Sequence, residues 1–269
     1  MIERLRGWAA EVGPADNLAL LRVGLVLVCW SEWGAQLQAF RAITAHQLAL
    51  SMAFFVPTTL MLLGLATRPA SIATAAVLQW IYWGEGIGLG KEAWTHHHSW
   101  VIVGCTSLLA LAPAGRVLSL DAWLAERRGR PLPDTAPTWV LRLIGFQLAN
   151  VYFWGAWDKT TWAFLSGQRL HHHAIGLFLG SDPVGAWVAP LMAALAVATV
   201  IIEYWLAFAL WLPGQRAAAM VVGVLLHWVF YVFMPVGTFS VVMMVAYLAF
   251  VPPEALRAAR LRASMAPAP

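Results

Sequence analysis

The sequence predicts an all-α bundle of transmembrane helices, polytopic, with about eight spans and both termini in the cytoplasm. Three observations carry that expectation. First, 61% of the 269 residues are hydrophobic and only 11% are charged, where a soluble domain is about a quarter charged, so too little polar surface remains to coat a water-soluble body. Second, apolar runs recur at close to the length of about 20 residues that a helix needs to cross the hydrocarbon. Third, the basic residues fall unevenly on the two sides of those runs.

The runs divide the chain in order. Spans are expected at about 17–38, 48–66, 70–89, 97–113, 138–157, 187–211, 217–235 and 237–253, with Arg68, Pro69, Gly115, Pro131, Pro133, Pro213 and Gly214 at the joins. The last two spans are separated only by "MPVG", so seven spans with a kink is the alternative count. The opening "MIERLRGWAAEVGPAD" lacks a cleavable signal-peptide pattern. Segment 114–136 is expected to be a cytoplasmic linker, with a short interfacial helix in "RVLSLDAWLAE". The tail "RASMAPAP" is expected to be disordered. A single membrane domain over 1–269 follows.

With the N-terminus inside, the inner segments hold Arg4, Arg6, Arg68, Arg116, Arg127, Arg128, Arg130, Arg216, Arg257, Arg260 and Arg262. The outer segments hold Arg41, Lys91, Lys159 and Arg169. That bias sets the orientation. The net charge of +4 is spread over these short segments and is no nucleic-acid footprint. The expected location is the plasma (inner) membrane of a cell, multi-pass, in contact with the lipid bilayer. Cys29 and Cys105 sit inside apolar runs and read as small core residues.

Ionisable groups inside spans are costly unless partnered or wet. Arg22 and Arg142 lie near inner ends, as does Glu203, and the bland reading is an interhelical clamp of Glu203 with Arg22 or Arg142; a proton-relay role is the alternative. His227 falls about ten residues into its span, near the midplane. Glu32 and Glu85 approach outer ends, where they either line a cavity or reach interfacial water. Gln79, Gln147 and Asn150 are expected to hydrogen-bond between helices. Ten tryptophans cluster toward outer ends: Trp30, Trp33, Trp80, Trp83, Trp94, Trp100, Trp154, Trp157, Trp162 and Trp187. An aromatic belt accounts for some; the surplus points to an aromatic-walled pocket open to the outer side.

Two stretches join a lysine to three histidines: "KEAWTHHHSW" from Lys91 and "DKTTWAFLSGQRLHHHAI" from Asp158. Consecutive histidines on a helix point about 100° apart, and neither run has the i, i+4 pair of a metal site. No metal is expected.

The residues "RLIGFQLANVYFWGAWDKTTWAFLSGQRL", with Gln147, Tyr152–Phe153, Lys159 and Gly167, resemble the lysine-bearing segment of vitamin K-dependent γ-carboxylases and of the small bacterial HTTM-domain proteins grouped with them. "THHHSW" with the later "Ser-x-Asp", and "LHWVFYVFMPVGTFSVVMM", are similar to two further segments of that family, in the same order. Arg22 and Glu203 match its arginine and acidic positions. The resemblance implies a lysine that deprotonates a quinol such as vitamin K hydroquinone or menaquinol, which oxygen turns into a strong base for carboxylating glutamate. It carries Lys159, His98 and His227 over as catalytic residues and His97, Trp94, Tyr152 and Trp162 as cofactor-binding candidates, with the site on the extracytoplasmic side. Partial desolvation at a membrane boundary favours a neutral amine, the form a base requires. The family's asparagine is here His97, Asp158 precedes Lys159, and no counterpart of the animal enzyme's large substrate-recognition domain is expected. His171–His173 have no counterpart to carry over. Alternatives are a non-enzymatic membrane partner in maturation or export of a secreted peptide or protein, and a transporter.

Overall fold

In the computed structural model the described residues are 10–38, 44–176, 187–234 and 236–265 with positions 7 and 185, excepting the side chains of Ala93 and His97. Helices account for nearly all of the ordered structure, because an apolar chain that leaves water must satisfy its backbone groups internally. They cluster into two compact units, residues 1–145 with 245–269, and residues 146–244.

The first unit opens with strand β1 (Val12–Pro14), paired antiparallel with β2 (Thr135–Pro137). Helix α1 (Asp16–Trp33) is its hub and packs on α2 (Ala45–Leu63) and α4 (His97–Leu109). Leu18, Leu21, Leu25, Cys29 and Trp33 of α1 are buried. A capping box starts α2: the Thr44 hydroxyl accepts from Gln47 N and Gln47 Oε1 accepts from Thr44 N. Gly64 ends it in the left-handed conformation, φ 67°. Helix α3 (Thr67–Gln79) follows at once and continues as a π-helix over Trp80–Gly88. Gln79 donates to Ser107 of α4, as expected of an interhelical glutamine.

The "Ser-x-Asp" motif has a structural role. Ser119 caps α5 (Leu120–Arg127), where the short interfacial helix was expected, by accepting from Ala122 N. Asp121 reaches back and caps α3, accepting from Ala66 N, Thr67 N and the Thr67 hydroxyl.

The chain's last elements return to this unit. After a 3-10 turn (Tyr247–Ala249), the axis bends by 92° into a terminal helix, Pro253–Met265. Two consecutive prolines, Pro252 and Pro253, force the break. Asn17 takes up the freed carbonyls by donating to Leu248 O and Val251 O. Arg260 pairs with buried Asp16 at 2.6 Å. This corrects the expected disordered tail: residues 262–265 are helical, and 266–269 lie outside the described residues.

Helix α6 (Trp139–Lys159) crosses the unit boundary. The second unit holds its second half, the short α7 (Trp162–Leu165) and α8 (Gln168–Ala174), then α9 (Val188–Ala209), α10 (Pro213–Phe233) and the start of α11 (Thr238–Ala246). Pro213 opens α10 at a first-turn position, where its missing N–H costs nothing. Each of the eight expected apolar runs coincides with a helix. Among the described residues, three helices are long and apolar enough to cross a membrane, α2, α9 and α10, or four if the bent pair Thr238–Ala249 and Pro253–Met265 is one span.

Candidate functional site

The second unit assembles its polar groups along one stripe of α6. Tyr152, Gly155 and Lys159 recur at helical spacing and so share a face. Lys159 Nζ donates to Glu203 Oε1 at 2.9 Å, Glu203 Oε2 at 2.8 Å and Gly155 O at 3.2 Å. Three acceptors match the three protons of an ammonium. Glu203 of α9 is buried, its side chain 6% exposed, while that of Lys159 is 31% exposed. Gly155 lies beside the pair: a Cβ there would stand at ordinary contact distance, 3.4 Å from Lys159 Nζ and 3.8 Å from Glu203 Oε2.

The chain after Lys159 runs back along α9. Phe164 packs with Ala196 and Val200. A Cβ on Gly167 would fall 2.3 Å from Ala193 N, so only glycine fits there, and its φ of 76° asks for one as well. Lys159 therefore lies level with Glu203, about 22 Å along α9 from Val188 at helical rise. Lys159 is the last residue of α6, and the short α7 and α8, packed along α9, continue the structure beyond that helix end.

One turn-pair back from Lys159, the Tyr152 hydroxyl meets His227 Nε2 of α10 at 2.7 Å. Both side chains are buried. The rings of Phe230 and Phe239 stand edge-on to the imidazole. His227 Nδ1 is buried and has no hydrogen-bond partner among the described residues.

His98 belongs to the first unit. Its Nε2 pairs with Glu32 Oε1 of α1 at 2.9 Å, and the Ser99 hydroxyl donates to the same oxygen at 2.9 Å. The ring of His96 stacks on that of His98. Glu32 thus orients the imidazole and fixes which ring nitrogen faces it. A second buried carboxylate, Glu85, sits on the π-helix and binds His46, Lys91 and the Trp80 indole. Lys91 also lies over the Trp94 ring at 4.6 Å.

Several expectations change. Glu203 pairs with Lys159, not in a clamp with Arg22 or Arg142; Arg142 pairs with Glu11, and Arg22 donates to Leu118 O from a buried position against Gly64. Position along the helix suggested an arginine partner, but it is the return of α7 and α8 that sets the level. Asn150 bonds within its own helix, to Phe146 O. Most of the clustered tryptophans face outward rather than wall a pocket: Trp80, Trp83, Trp100, Trp154 and Trp157 are exposed, and Trp162 is 82% exposed; Trp187, also exposed, stands at one end of a groove. The side chain of His97 lies outside the described residues. Missed by sequence were Glu32 and Glu85 as partners of His98 and Lys91; the signal was a carboxylate inside an apolar run, where a partner is obligatory.

No curated protein and no solved structure matches the chain. The model of the HTTM domain matches residues 35–254, a stretch that runs through both units and includes Glu85, His98, Lys159, Glu203 and His227. The chain is a membrane protein and belongs to the HTTM-domain family.

Proposed function

We propose that this membrane protein handles protons for a reduced quinone, with Lys159 as the base, within an eight-span bundle whose termini are cytoplasmic. The observation that carries the reading is the Lys159–Glu203 pair. A lysine donating all three protons has no lone pair to offer. With a buried carboxylate at 2.8 Å, one proton can pass to Glu203 and leave Nζ as an acceptor without any group moving. The family resemblance supplies the quinol. The residues fit one: His227 Nδ1 is a buried ring nitrogen lacking a partner among the described residues, inside an aromatic setting. When bound, a quinol supplies a hydroxyl proton and reducing electrons. Tyr152 holds His227 in register, His227 Nδ1 offers the hydrogen bond that positions the ring, and Lys159 takes the proton. In the first unit His98, oriented by Glu32, is a second acid–base group with His97 and Trp94 near it in sequence; in the second unit Trp162 remains a candidate for lining the cofactor.

Proteoliposomes carrying wild type, Lys159→Ala or Glu203→Gln, given menaquinol and oxygen, test this. Quinol turnover should fall at least tenfold in both variants; equal turnover by wild type and Lys159→Ala refutes it. Single cysteines at Glu92 and Arg128 test the topology, since Cys29 and Cys105 are buried. The two should react with impermeant reagent from opposite faces.

The same pair also favours a second reading. An ammonium with every proton satisfied is what a structural clamp looks like, as a non-enzymatic partner in maturation or export of a secreted peptide would need. An unchanged cellular phenotype for Lys159→Met combined with Glu203→Leu and His98→Ala, which removes the base without leaving Glu203 unpaired, supports that reading.

A further inference from the structure

The second histidine run is left unused by the lysine site, and one of its members, His173, lines a groove of the second unit. The groove has a volume of about 650 Å³, within the range of about 300–1,000 Å³ usual for ligand pockets. Leu191 and Leu195 of α9 form one wall, and Leu225 and Val229 of α10 the other. At one end Trp187, Met234 and His173 close it. The lining runs from Val188 to Ile202 on α9, about 21 Å, and from Val222 to Phe233 on α10, about 16 Å, at helical rise. One leaflet of a bilayer is about 15 Å of hydrocarbon. Both walls are helices long and apolar enough to span it.

Among the described residues of α8, the one formally charged side chain is Arg169. Leu170, His173 and Ala174 of α8 line the groove. Arg169 lies four residues before His173 and so shares its face, and it is exposed. The segment 166–176 carries Arg169 and His171–His173 and no carboxylate. A guanidinium fork beside an imidazole matches a phosphate diester.

We propose that the groove holds one acyl chain of an anionic phospholipid, its phosphate bound by Arg169 and His173. The chain fills a slot one leaflet long, Trp187 sits at the interfacial level, and the second histidine run is the headgroup site. This assignment stands apart from the Lys159 reading, which can fail without it.

Native mass spectrometry of the full chain in detergent tests it, with phosphatidylglycerol and phosphatidylcholine of identical acyl chains as probes. Wild type should retain phosphatidylglycerol about five-fold or more over phosphatidylcholine. Arg169→Ala with His173→Ala should bring that ratio near one, with retention of phosphatidylglycerol, the lipid with net negative charge, falling further than that of phosphatidylcholine. Leu195→Trp, or Leu225→Trp from the opposite wall should the first not fold, should lower retention of both lipids. A wild-type ratio near one, a ratio indifferent to the Arg169 and His173 changes, or retention indifferent to a filled groove overturns the proposal. So does displacement of both lipids by menaquinone with equal affinity in wild type and the double variant, which would make the groove a quinone-tail site. The headgroup variants lie on a half-exposed face and report whether or not the tryptophan variants fold.

Discussion

Replacing Lys159 by methionine isolates what the ion pair contributes to stability. The substitution leaves the Glu203 side chain, 6% exposed, without its cation. Breaking a buried pair from one side costs about 3–5 kcal/mol. Lys159 is 31% exposed, so solvent already screens part of the attraction, and the expected cost drops to about 2–3 kcal/mol. The reverse change is milder. Glu203→Leu leaves a long flexible ammonium that still has Gly155 O and can swing toward water, for a cost of about 1 kcal/mol. Lys159→Met with Glu203→Leu buries no unpaired charge and adds apolar contact to Ala156 and Val200, so it should fall within about 1 kcal/mol of wild type. The expected coupling is then about 2–4 kcal/mol, with the two single changes far from additive. Reversible unfolding in mixed detergent micelles, followed by tryptophan fluorescence, measures all four corners. Additivity to within about 0.5 kcal/mol, or a Lys159→Met cost below that of Glu203→Leu, refutes the reasoning. The double variant also separates roles: it should fold like wild type and have lost every Lys159-dependent activity.

Gly64→Ala should be among the most damaging small changes in the first unit. Its Cβ would lie 1.9 Å from Arg22 Nη1 and 2.8 Å from Ser119 Cα, at a φ of +67°. The left-handed backbone alone costs an alanine about 1–2 kcal/mol, and displacing a buried guanidinium adds to it, so the thermal midpoint in detergent should fall by about 5 °C or more; a shift under about 1 °C contradicts this account. Tyr152→Phe removes the hydroxyl from His227 Nε2 and should cost about 1–3 kcal/mol in the same unfolding assay. A neutral result would mean that the buried imidazole is satisfied from elsewhere.

The helices were legible because each apolar run had to become one: every expected run coincides with a helix, and the linker helix begins at the serine whose hydroxyl caps it. What escaped were contacts between residues far apart in the chain. The terminal helix follows Pro253 and is docked through Arg260 on Asp16, a pair separated by 244 residues, and no local pattern announces it. No span is expected over 160–174, where α7 and α8 are only four and seven residues long. Helices that short are marginal alone and form here against α9. Their packing along α9, which no local pattern shows, is what brings Lys159 rather than an arginine to Glu203. The tryptophans were over-read for a different reason. Their clustering toward helix ends is what a belt facing lipid requires, and exposure, not position in the sequence, separates a belt from a pocket wall.

The two lysine–histidine stretches looked like twin sites because their residues are neighbours in sequence. Folding sorts them by face instead. Lys91 goes to Glu85 and Lys159 to Glu203, while His98 goes to Glu32 and His173 to the lining of a groove. In each case but the last the partner is a carboxylate buried in an apolar helix. The cause is energetic asymmetry. A lysine or histidine at a helix end can reach water with its own length, but a short glutamate held inside a helix cannot. The acid therefore dictates the pairing, and the cation comes to it. In a chain this poor in charge, the few carboxylates inside apolar runs locate the polar centres more surely than the more conspicuous histidines do. His173 is the exception that follows the same logic: with no acid in the segment 166–176, its imidazole lines a groove that a ligand can fill.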